Sequence, residues 1–320
     1  MCLVSAKIKD DLMTGKGIGF GKVILFNEHF VVYNIPAIAS AIGTKTLASI
    51  KPAEKLILVD DRKETPGYKK EKLDQQKESL KRIMDAAGIE NREIKIALTG
   101  DLVASSGVGA SAASCVAIAR ALSDYFDLGF PDEKINELAY EGEKGYHGTP
   151  SGIDNTAATY GGLVWFKKGK PNIIERLDIQ SPVEIVIANT GIVADTSRVV
   201  AGVRERKNKN PEKYNKIFNE AEKLAYDARK ALERFDLKTV GALMNENHRL
   251  LQEIGVSCKE LDFLVDLARD NGAYGAKLTG GGAGGNMVAL TPGKELQERI
   301  ASAMEKEEFK VLRTTIGGII

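Results

Sequence analysis

Glycine is both frequent and unevenly placed in this chain of 320 residues, and its distribution restricts the fold more than any other feature. There are 32 glycines, where average usage would be about 7% of residues. They concentrate at 15–21, 107–109, 142–152, 161–162 and 280–285. Glycine serves where the backbone adopts positive φ or where another group comes close to the main chain. The clusters therefore predict tight loops, some of them built for close approach of a ligand.

Composition excludes several classes of protein. The chain is 43% hydrophobic and 28% charged, with a net charge of +1, which is typical of a globular protein without a broad basic surface for nucleic acid. No apolar run reaches the ~18 residues of a membrane span, and the first residues lack a secretory signal. Cys2, Cys115 and Cys258 do not have the spacing of a disulfide framework or a zinc site. We expect a cytoplasmic protein that binds neither nucleic acid nor membrane.

Hydrophobic periodicity predicts a mixed order of strands and helices. The predicted strands are 20–25, 46–50, 56–59, 94–98, 163–167, 183–189, 274–278, 287–290 and 309–314. The predicted helices are 71–87, 111–126, 131–145, 154–160, 194–208, 211–234, 236–254, 257–270 and 294–306. This order is not a regular βαβ repetition, so we predict an α+β fold of two lobes, 1–183 and 184–320.

The stretch 104–113, Ala-Ser-Ser-Gly-Val-Gly-Ala-Ser-Ala-Ala, lies between a predicted strand and a predicted helix; we call it the phosphate loop. Its small residues and the unpaired N–H groups of a helix start suit a polyphosphate. A tight turn with Ser111 as a simple N-cap is an equal alternative. The Walker A pattern is absent. The G-x-G-x-x-A pattern at 107–112 lacks the following strand and acid of a dinucleotide site, so a nucleotide-dependent oxidoreductase is the weaker interpretation.

Residues 280–285, the glycine loop, contain five glycines in six positions and precede a strand. Without a following helix, the loop does not form a dinucleotide fingerprint. It is either a loop against which another backbone packs closely, or a flexible loop that closes on a substrate. We favour the second interpretation.

Two acids flank a turn rich in glycine and proline. Glu143 lies near the end of the helix that Pro131 begins, with Gly145 as the predicted stop, and a carboxylate there is unfavourable unless a cation compensates it. Asp154 follows eleven residues later. One acid could hold Mg²⁺ while the other handles a proton. On spacing alone, ordinary surface or capping acids are the stronger interpretation.

Near the N-terminus, Lys22 interrupts an apolar strand that leads to Glu28 and His29. All three are candidates for a site, although a lysine on an edge strand and a solvated Glu-His pair are the simpler alternatives. Of the other histidines, His147 is turn-like and His248 is predicted on a helix face.

Taken together, these segments resemble the GHMP kinase superfamily. Residues 21–33, Gly-Lys-Val-Ile-Leu-Phe-Asn-Glu-His-Phe-Val-Val-Tyr, are similar to its first motif, and 106–113 to its second. Residues 143–155 resemble the segment that carries the metal ligand and the base, 275–285 the third motif, and 190–196 a loop on the substrate side. The resemblance covers most of the chain in the family's order.

The resemblance implies phosphorylation of the primary hydroxyl of mevalonate by ATP, a step of isoprenoid biosynthesis, in a monomer or homodimer. Asp154 would orient or deprotonate the hydroxyl, and Lys22, close to Asp154, would stabilise charge on the transferring group. Ser111 and Glu143 would hold Mg²⁺. Residues that would contact ATP are Ala104, Ser105, Ser106, Gly107, Val108, Gly109, Ala110, Ser111 and Ala112. Residues that would contact mevalonate are Lys22, Glu28, His29, Val31, Ser151, Asp154, Ile192, Thr196, Thr279 and Gly280.

The implied fold has an ATP-binding N-terminal lobe similar to the second domain of ribosomal protein S5 and a ferredoxin-like C-terminal lobe. The chain departs from the family in three places. Asn27 stands where glycine is usual, and Tyr33-Asn34 replaces His-Gly. Ala110 replaces the first serine of a common pair, which leaves Ser111 as the only metal candidate in the phosphate loop. For the adenine, the charged segment at 60–70 is only a candidate location.

Val31 separates the candidate substrates. Sugar kinases of the superfamily carry an aspartate there, which accepts hydrogen bonds from sugar hydroxyls. Valine cannot accept them, and a hydroxyl buried against it would lose about 1–3 kcal/mol. We therefore expect mevalonate first, another small alcohol second, and an oxidoreductase substrate last.

Overall fold

The computed structural model of the chain describes residues 14–64, 67–104 and 107–318. The chain forms two compact units. The first contains the residues up to Gly21 together with Thr44–Tyr160, and the second contains Lys22–Gly43 together with Gly161–Ile320. The chain passes between the units three times, inside β1 (Gly15–Phe26), inside β2 (Ala37–Pro52) and between Tyr160 and Gly161. A functional division at residues 183 and 184 remains a prediction.

The first unit packs helices on one sheet. Its further elements are β3 (Ile57–Asp60), α1 (Tyr68–Glu71), α2 (Leu73–Ala86), β4 (Ile94–Gly100), α3 (Ala110–Tyr125), α4 (Asp132–His147) and α5 (Ile153–Tyr160). The second half of β2 pairs antiparallel with β4, and β3 pairs parallel with β4. Apolar residues of α2, α3 and α4 form a buried core with the inner faces of β2 and β4. That core fixes α3, the helix that continues the phosphate loop.

The first glycine cluster lets β1 approach α3 unusually closely. A Cβ on Gly15, Gly17 or Gly19 would lie 2.4, 2.1 or 2.0 Å from a carbonyl oxygen of α3, belonging to Ala121, Ala117 and Ala113 respectively. Alternate strand residues repeat every ~6.6 Å, and every fourth helix residue repeats every ~6 Å. The two spacings match, so these glycines serve helix-to-strand packing.

The second unit contains a 3-10 helix (Phe30–Tyr33) and the remaining elements of the chain. These are β5 (Leu163–Lys167), β6 (Ile173–Leu177), β7 (Val183–Asn189), α6 (Thr196–Lys209), α7 (Pro211–Glu233), α8 (Leu237–Glu253), α9 (Lys259–Asp270), β8 (Gly275–Thr279), β9 (Asn286–Leu290), α10 (Lys294–Lys306) and β10 (Lys310–Ile316). The first half of β2 pairs with β5, which pairs with β6.

Strands β7 to β10 form a separate antiparallel sheet in the order β10-β7-β9-β8. In the chain order of these four strands this is 4-1-3-2, with helices between β7 and β8 and α10 between β9 and β10. That arrangement is the ferredoxin-like βαββαβ pattern. The predicted α+β class and the ferredoxin-like C-terminal lobe are confirmed. Within the described residues, no helix has both the length and the apolar character needed to cross a membrane.

Candidate active site

The phosphate loop leads directly into α3. The helix begins at Ala110, and its N-cap is Gly109, which has a φ of 81° and offers no side chain. Gly107 also adopts positive φ, at 71°. Ser111 is therefore the second residue of the helix, and its interpretation as an N-cap is wrong. Ala104, Val108 and Ala112 are buried, whereas Ser105 and Ser106 lie outside the described residues.

Ser111 and Glu143 both approach one side chain, His147. The Oγ of Ser111 lies 3.3 Å from Nε2 of His147, and Oε2 of Glu143 lies 3.9 Å from the same nitrogen. Glu143 is buried, and the thiol of Cys115, one turn after Ser111 on α3, faces its Oε1 at 3.9 Å. The structure thus brings the two predicted metal ligands to one place.

Two predictions about this segment are wrong. Helix α4 does not stop at Gly145; it continues to His147 and ends before Gly148, which has a φ of 65°. His147 is therefore the last residue of a helix and not part of a turn. Gly145 instead meets α2, because a Cβ there would lie 2.6 Å from the backbone nitrogen of Ser79. The two additional helical residues place His147 where its ring approaches Ser111.

Asp154 lies in the first turn of α5 and is half-buried. A carboxylate at that end of a helix is favoured by the aligned peptide dipoles. The preceding Ser151 accepts a hydrogen bond from the N–H of Ile153 at 3.4 Å. The next residue, Asn155, donates to the side chain and backbone of Asn136 on α4. These contacts hold the beginning of α5 against α4.

In the second unit, Lys22 and Glu28 are buried rather than solvated. Glu28 forms an ion pair with Lys277 of β8, whose side chain is fully buried. Burial raises the pKa of Glu28, and the ammonium groups of Lys277 and Lys22 oppose that rise. Burial likewise lowers the pKa of Lys277. Oε2 of Glu28 has no hydrogen-bond partner within the described residues, so one carboxylate oxygen is left for another group.

His29 contacts the glycine loop directly. Its Nε2 lies 2.9 Å from the carbonyl oxygen of Gly281. Burial lowers the pKa of His29 to about 4, so the ring is neutral at pH 7. Because a carbonyl only accepts hydrogen bonds, Nε2 carries the proton and Nδ1 is an acceptor.

The glycine loop is closely packed by its neighbours. A Cβ on Gly281 would lie 2.3 Å from Oγ1 of Thr196, and one on Gly284 would lie 2.8 Å from the side chain of Ile192. The N–H of Gly285 donates to the carbonyl of Ile192 at 2.9 Å. Thr279, just before the loop, donates to the carbonyl of Ile24 at 2.9 Å. Close packing by another backbone, the alternative in the sequence analysis, is confirmed; closure on a substrate remains a prediction.

The departure at Asn27 has a structural explanation. Asn27 adopts a φ of 71°, a conformation that asparagine tolerates better than most non-glycine residues. Its buried amide donates to the carbonyls of Pro36 at 2.8 Å and Ala221 at 2.9 Å and accepts from Asn247 at 2.9 Å. Asn247 also accepts from the backbone N–H of Asn27 at 3.1 Å. Asparagine thus keeps the backbone conformation and adds a clamp on α7 and α8.

Val31 is buried in the 3-10 helix. The two residues that replace the family's His-Gly follow it. The ring of Tyr33 lies 4.8 Å from that of Phe218 on α7, and Asn34 adopts a φ of 64° at the end of the 3-10 helix.

A shallow, open pocket lies beside the phosphate loop in the first unit. Its lining combines charged, amide, aromatic and small residues: Asp60, Arg62, Tyr68, Lys69, Lys72, Gln76, Ala104, Ala110, Ser111, Ser114 and Tyr146. The segment 60–70, proposed from the sequence as the location of the adenine, contributes four of them.

The predicted site residues fall into two groups. The phosphate loop, Glu143, Ser151 and Asp154 belong to the first unit, and Lys22, Glu28, His29, Val31, Ile192, Thr196, Thr279 and Gly280 belong to the second. Gly280 has a φ of 85°. Among the described residues there is no group of three or more His, Cys, Asp or Glu side chains that could hold a metal by themselves.

Sequence reasoning missed Lys277, His147, Asn247 and Arg62. Lys277 had a signal, because a lysine inside the apolar strand Gly275–Thr279 must find an anion when both faces are buried. The others had no such signal. The position of His147 depends on where its helix ends, and the hydrogen bond of Asn247 is with a partner 220 residues away.

Comparison with known proteins agrees with the geometry. The model for the GHMP kinases N terminal domain matches residues 76–162, and that for GHMP kinases C terminal matches 228–311. The chain is 36% identical over 309 residues to a mevalonate kinase of Pyrococcus furiosus, covering 88% of this chain and 90% of that protein. It is 34% identical over 308 residues to one of Thermococcus sibiricus, covering 89% and 90%.

Among solved structures, L. major mevalonate kinase in complex with R-mevalonate superposes with a TM-score of 0.90. The two chains are 38% identical, and the match covers 95% of this chain and 96% of the other. These similarities favour a kinase over the oxidoreductase alternative. The chain belongs to the GHMP kinase superfamily and, within it, to the mevalonate kinase family.

Proposed function

We propose that the chain is an ATP-dependent kinase that phosphorylates the primary hydroxyl of mevalonate and forms 5-phosphomevalonate. The observation that carries this proposal is the 38% identity, over 95% of the chain, to a mevalonate kinase solved with R-mevalonate. The buried carboxylate of Glu143 near a serine in the first turn of α3 supports the same activity. Phosphoryl transfer relies on positioning and on charge stabilisation, and both features serve those ends.

The residues at the start of α3 fit a Mg²⁺ ion bound together with ATP. Mg²⁺ prefers oxygen ligands and is commonly held by one or two carboxylates plus substrate phosphates. Ser111 and Glu143 provide a hydroxyl and a carboxylate around one point, the Nε2 of His147. We infer that these two residues hold the ion. When bound, Mg²⁺ would neutralise charge on the phosphates.

The phosphate loop is the proposed binding site for the β- and γ-phosphates. A helix start offers unpaired N–H groups and the positive end of a dipole, and Gly107 and Gly109 lack side chains that would obstruct approach. The pocket lined by Tyr68, Tyr146 and Lys69 adjoins this loop, and we propose that it receives the nucleoside part of ATP.

Asp154 is the proposed proton acceptor for the mevalonate hydroxyl. A primary alcohol is a poor nucleophile at neutral pH, so a carboxylate that orients it and takes its proton assists the reaction. Lys22 would offset the charge of the transferring phosphoryl group. Both roles come from the family resemblance and remain proposals for this chain.

On the substrate side, we propose that the second-unit residues form an apolar and hydrogen-bonding wall for mevalonate. Val31 would contact the branched carbon skeleton. The unpartnered Oε2 of Glu28 and the Nδ1 acceptor of His29 would accept hydrogen bonds from hydroxyl groups. Ser151, Ile192, Thr196, Thr279 and Gly280 complete the proposed contacts.

The test is a coupled assay of ADP release with a panel of alcohols that includes mevalonate, phosphomevalonate and galactose. We expect turnover with mevalonate alone. Turnover of phosphomevalonate or galactose instead would assign the chain to another small-alcohol kinase. Gel filtration of the same sample tests the expected monomer or homodimer.

The proton role is tested by Asp154→Asn, which keeps the size of the side chain. We expect kcat to fall by about 10²–10⁴-fold with little change in KM for ATP. Asp74→Asn, an exposed acid in the first turn of α2, is the matched control and should retain parental kcat. A folded Asp154→Asn protein with parental kcat would remove Asp154 from the mechanism.

A further inference from the structure

The segment 60–64, which begins at the end of β3, contacts the phosphate loop at its first residue, Ala104, and at Ala110, where α3 begins. At the start of the loop, the N–H of Ala104 donates to the carbonyl of Lys63 at 2.8 Å, and Glu64 and Ala104 form a parallel β-bridge. At the start of α3, Nη1 of Arg62 donates to the carbonyl of Ala110 at 3.3 Å. One short segment therefore fixes the position of both residues.

Arg62 uses its whole guanidinium group in this connection. Nε and Nη2 donate to the two carboxylate oxygens of Asp60 at 2.9 and 2.6 Å, and Nη1 also donates to Oγ1 of Thr46 on β2 at 2.9 Å. The side chains of Arg62 and Asp60 are only 4% and 6% exposed. A planar group held on three sides has little freedom, so Ala110 is tied to β2 and to the end of β3.

The carboxylate of Asp60 is itself held in place. Nε2 of Gln76 on α2 donates to it at 3.1 Å, and the ammonium of Lys69 donates to the carbonyls of Asp60 and Arg62. Burial raises the pKa of Asp60, but the hydrogen bonds and charge of Arg62 outweigh burial and hold that pKa below its ordinary value. The pair is therefore ionised, and its donors are committed to protein groups rather than to solvent.

We propose that Arg62 is a positioning residue for ATP, which fixes the first turn of α3 so that its N–H groups and Ser111 meet the phosphates in one geometry. The inference rests on the proposed function. Arg62 lines the pocket beside the loop, but its four donor contacts go to Asp60, Thr46 and Ala110. It acts through the position of Ala110, and a displacement of about 1 Å at a reacting centre can lower a rate by about 10²-fold.

The test compares Arg62→Lys with the double variant Asp60→Asn/Arg62→Gln. Lysine keeps the charge beside Asp60 but lacks the fork that reaches three partners, and the double variant leaves no unpaired buried charge. Arg92→Lys is the control, because Arg92 also donates to an aspartate, Asp85, and to a backbone carbonyl in the same unit. Isothermal titration with Mg·ATP gives the affinity, steady-state kinetics gives KM for each substrate, and circular dichroism gives thermal stability.

We expect both Arg62 variants to bind ATP at least about tenfold more weakly, which corresponds to about 1.4 kcal/mol of binding free energy. KM for mevalonate should stay within about twofold of the parent, and the Arg92→Lys control should be unchanged. A loss of thermal stability with parental ATP affinity would reduce the pair to a structural contact and overturn the proposal. The ATP titration does not require mevalonate to react. A parent protein that binds ATP but leaves mevalonate unphosphorylated would overturn the proposed function, and the titrations would still decide the role of Arg62.

Discussion

Asn27 offers the sharpest test of how this chain differs from its family, because the usual residue, glycine, can be restored. The substitution Asn27→Gly has two opposing effects. Left-handed strain costs an ordinary residue about 1–2 kcal/mol and asparagine less, so glycine relieves about 1 kcal/mol. The greater freedom of the unfolded chain removes about 0.5–1 kcal/mol. These backbone effects nearly cancel.

The hydrogen bonds of the Asn27 side chain therefore determine whether the substitution raises or lowers the free energy of unfolding. Removing the amide of Asn27 leaves the carbonyls of Pro36 and Ala221 and the Nδ2 of Asn247 without this partner in a buried region. Each buried polar group that loses its partner costs about 1–3 kcal/mol. Water that enters the vacated space would satisfy part of this demand, so we take the lower end of the range. The expected loss of unfolding free energy is about 3 kcal/mol.

The assay is urea unfolding followed by circular dichroism, with Asn34→Gly as the matched control. Asn34 has almost the same φ, 64°, but its side chain is exposed, so its replacement should change the unfolding free energy by no more than about 0.5 kcal/mol. Asn247→Ala and the double variant complete a cycle, in which the double loss should fall short of the sum by about 1 kcal/mol or more. An Asn27→Gly protein as stable as Asn34→Gly would refute the clamp.

Three further outcomes are expected. Lys277→Met should lower the free energy of unfolding by about 3–5 kcal/mol, because Glu28 stays buried without the cation it contacts. Adding Glu28→Gln should restore most of that stability. If urea unfolding shows no recovery in the double variant, the ion pair is contradicted. Glu143→Gln should weaken the binding of Mn²⁺, a probe for Mg²⁺, to the ATP complex, as measured by electron paramagnetic resonance. Binding as tight as in the parent would exclude Glu143 as a ligand. His29 and His248 have pKa values of about 4 in the folded protein, against an ordinary value of 6.5. As the pH falls through 6.5, the unfolded chain therefore takes up protons that the folded protein does not. Lowering the pH from 7 to 5 should therefore remove about 2 kcal/mol per histidine, and equal urea midpoints at the two pH values would contradict their burial as neutral rings.

The elements that could be predicted from the sequence are those with a clear period and clear ends. The strands Leu163–Lys167 and Val183–Asn189 have the predicted bounds because apolar runs there are bordered by turn residues. The first half of β2, Ala37–Pro52, was missed because its residues are buried on both faces and do not alternate. Strand Ile173–Leu177 was missed because three of its five residues are exposed and only Leu177 is buried, which gives no apolar run to detect.

The residues of the candidate site likewise include some that local sequence predicts and some that it does not. Residue types in the phosphate loop and near Glu143 follow from local physics, since a helix start attracts anions and an acid at a helix end needs a cation. Burial of Glu28 and His29 could not be inferred locally, because the partner of Glu28 is 249 residues away and that of His29 is 252. Contacts between residues so far apart in sequence can be recognised only when the three-dimensional positions of β8 and the glycine loop are known.

Two buried cations, Arg62 and Lys277, share one arrangement, in which each restricts the backbone at one position in or next to a loop. Arg62 pairs with Asp60 and donates to the carbonyl of Ala110 in the phosphate loop. Lys277 pairs with Glu28 and donates to the carbonyl of Leu278 just before the glycine loop. In each case a nearby acid balances the charge, and another N–H of the cation donates a hydrogen bond to a backbone carbonyl. Because folding has already restricted the backbone at Ala110 and Leu278, less conformational freedom is lost at these two positions on binding, which strengthens binding without adding a contact to the ligand.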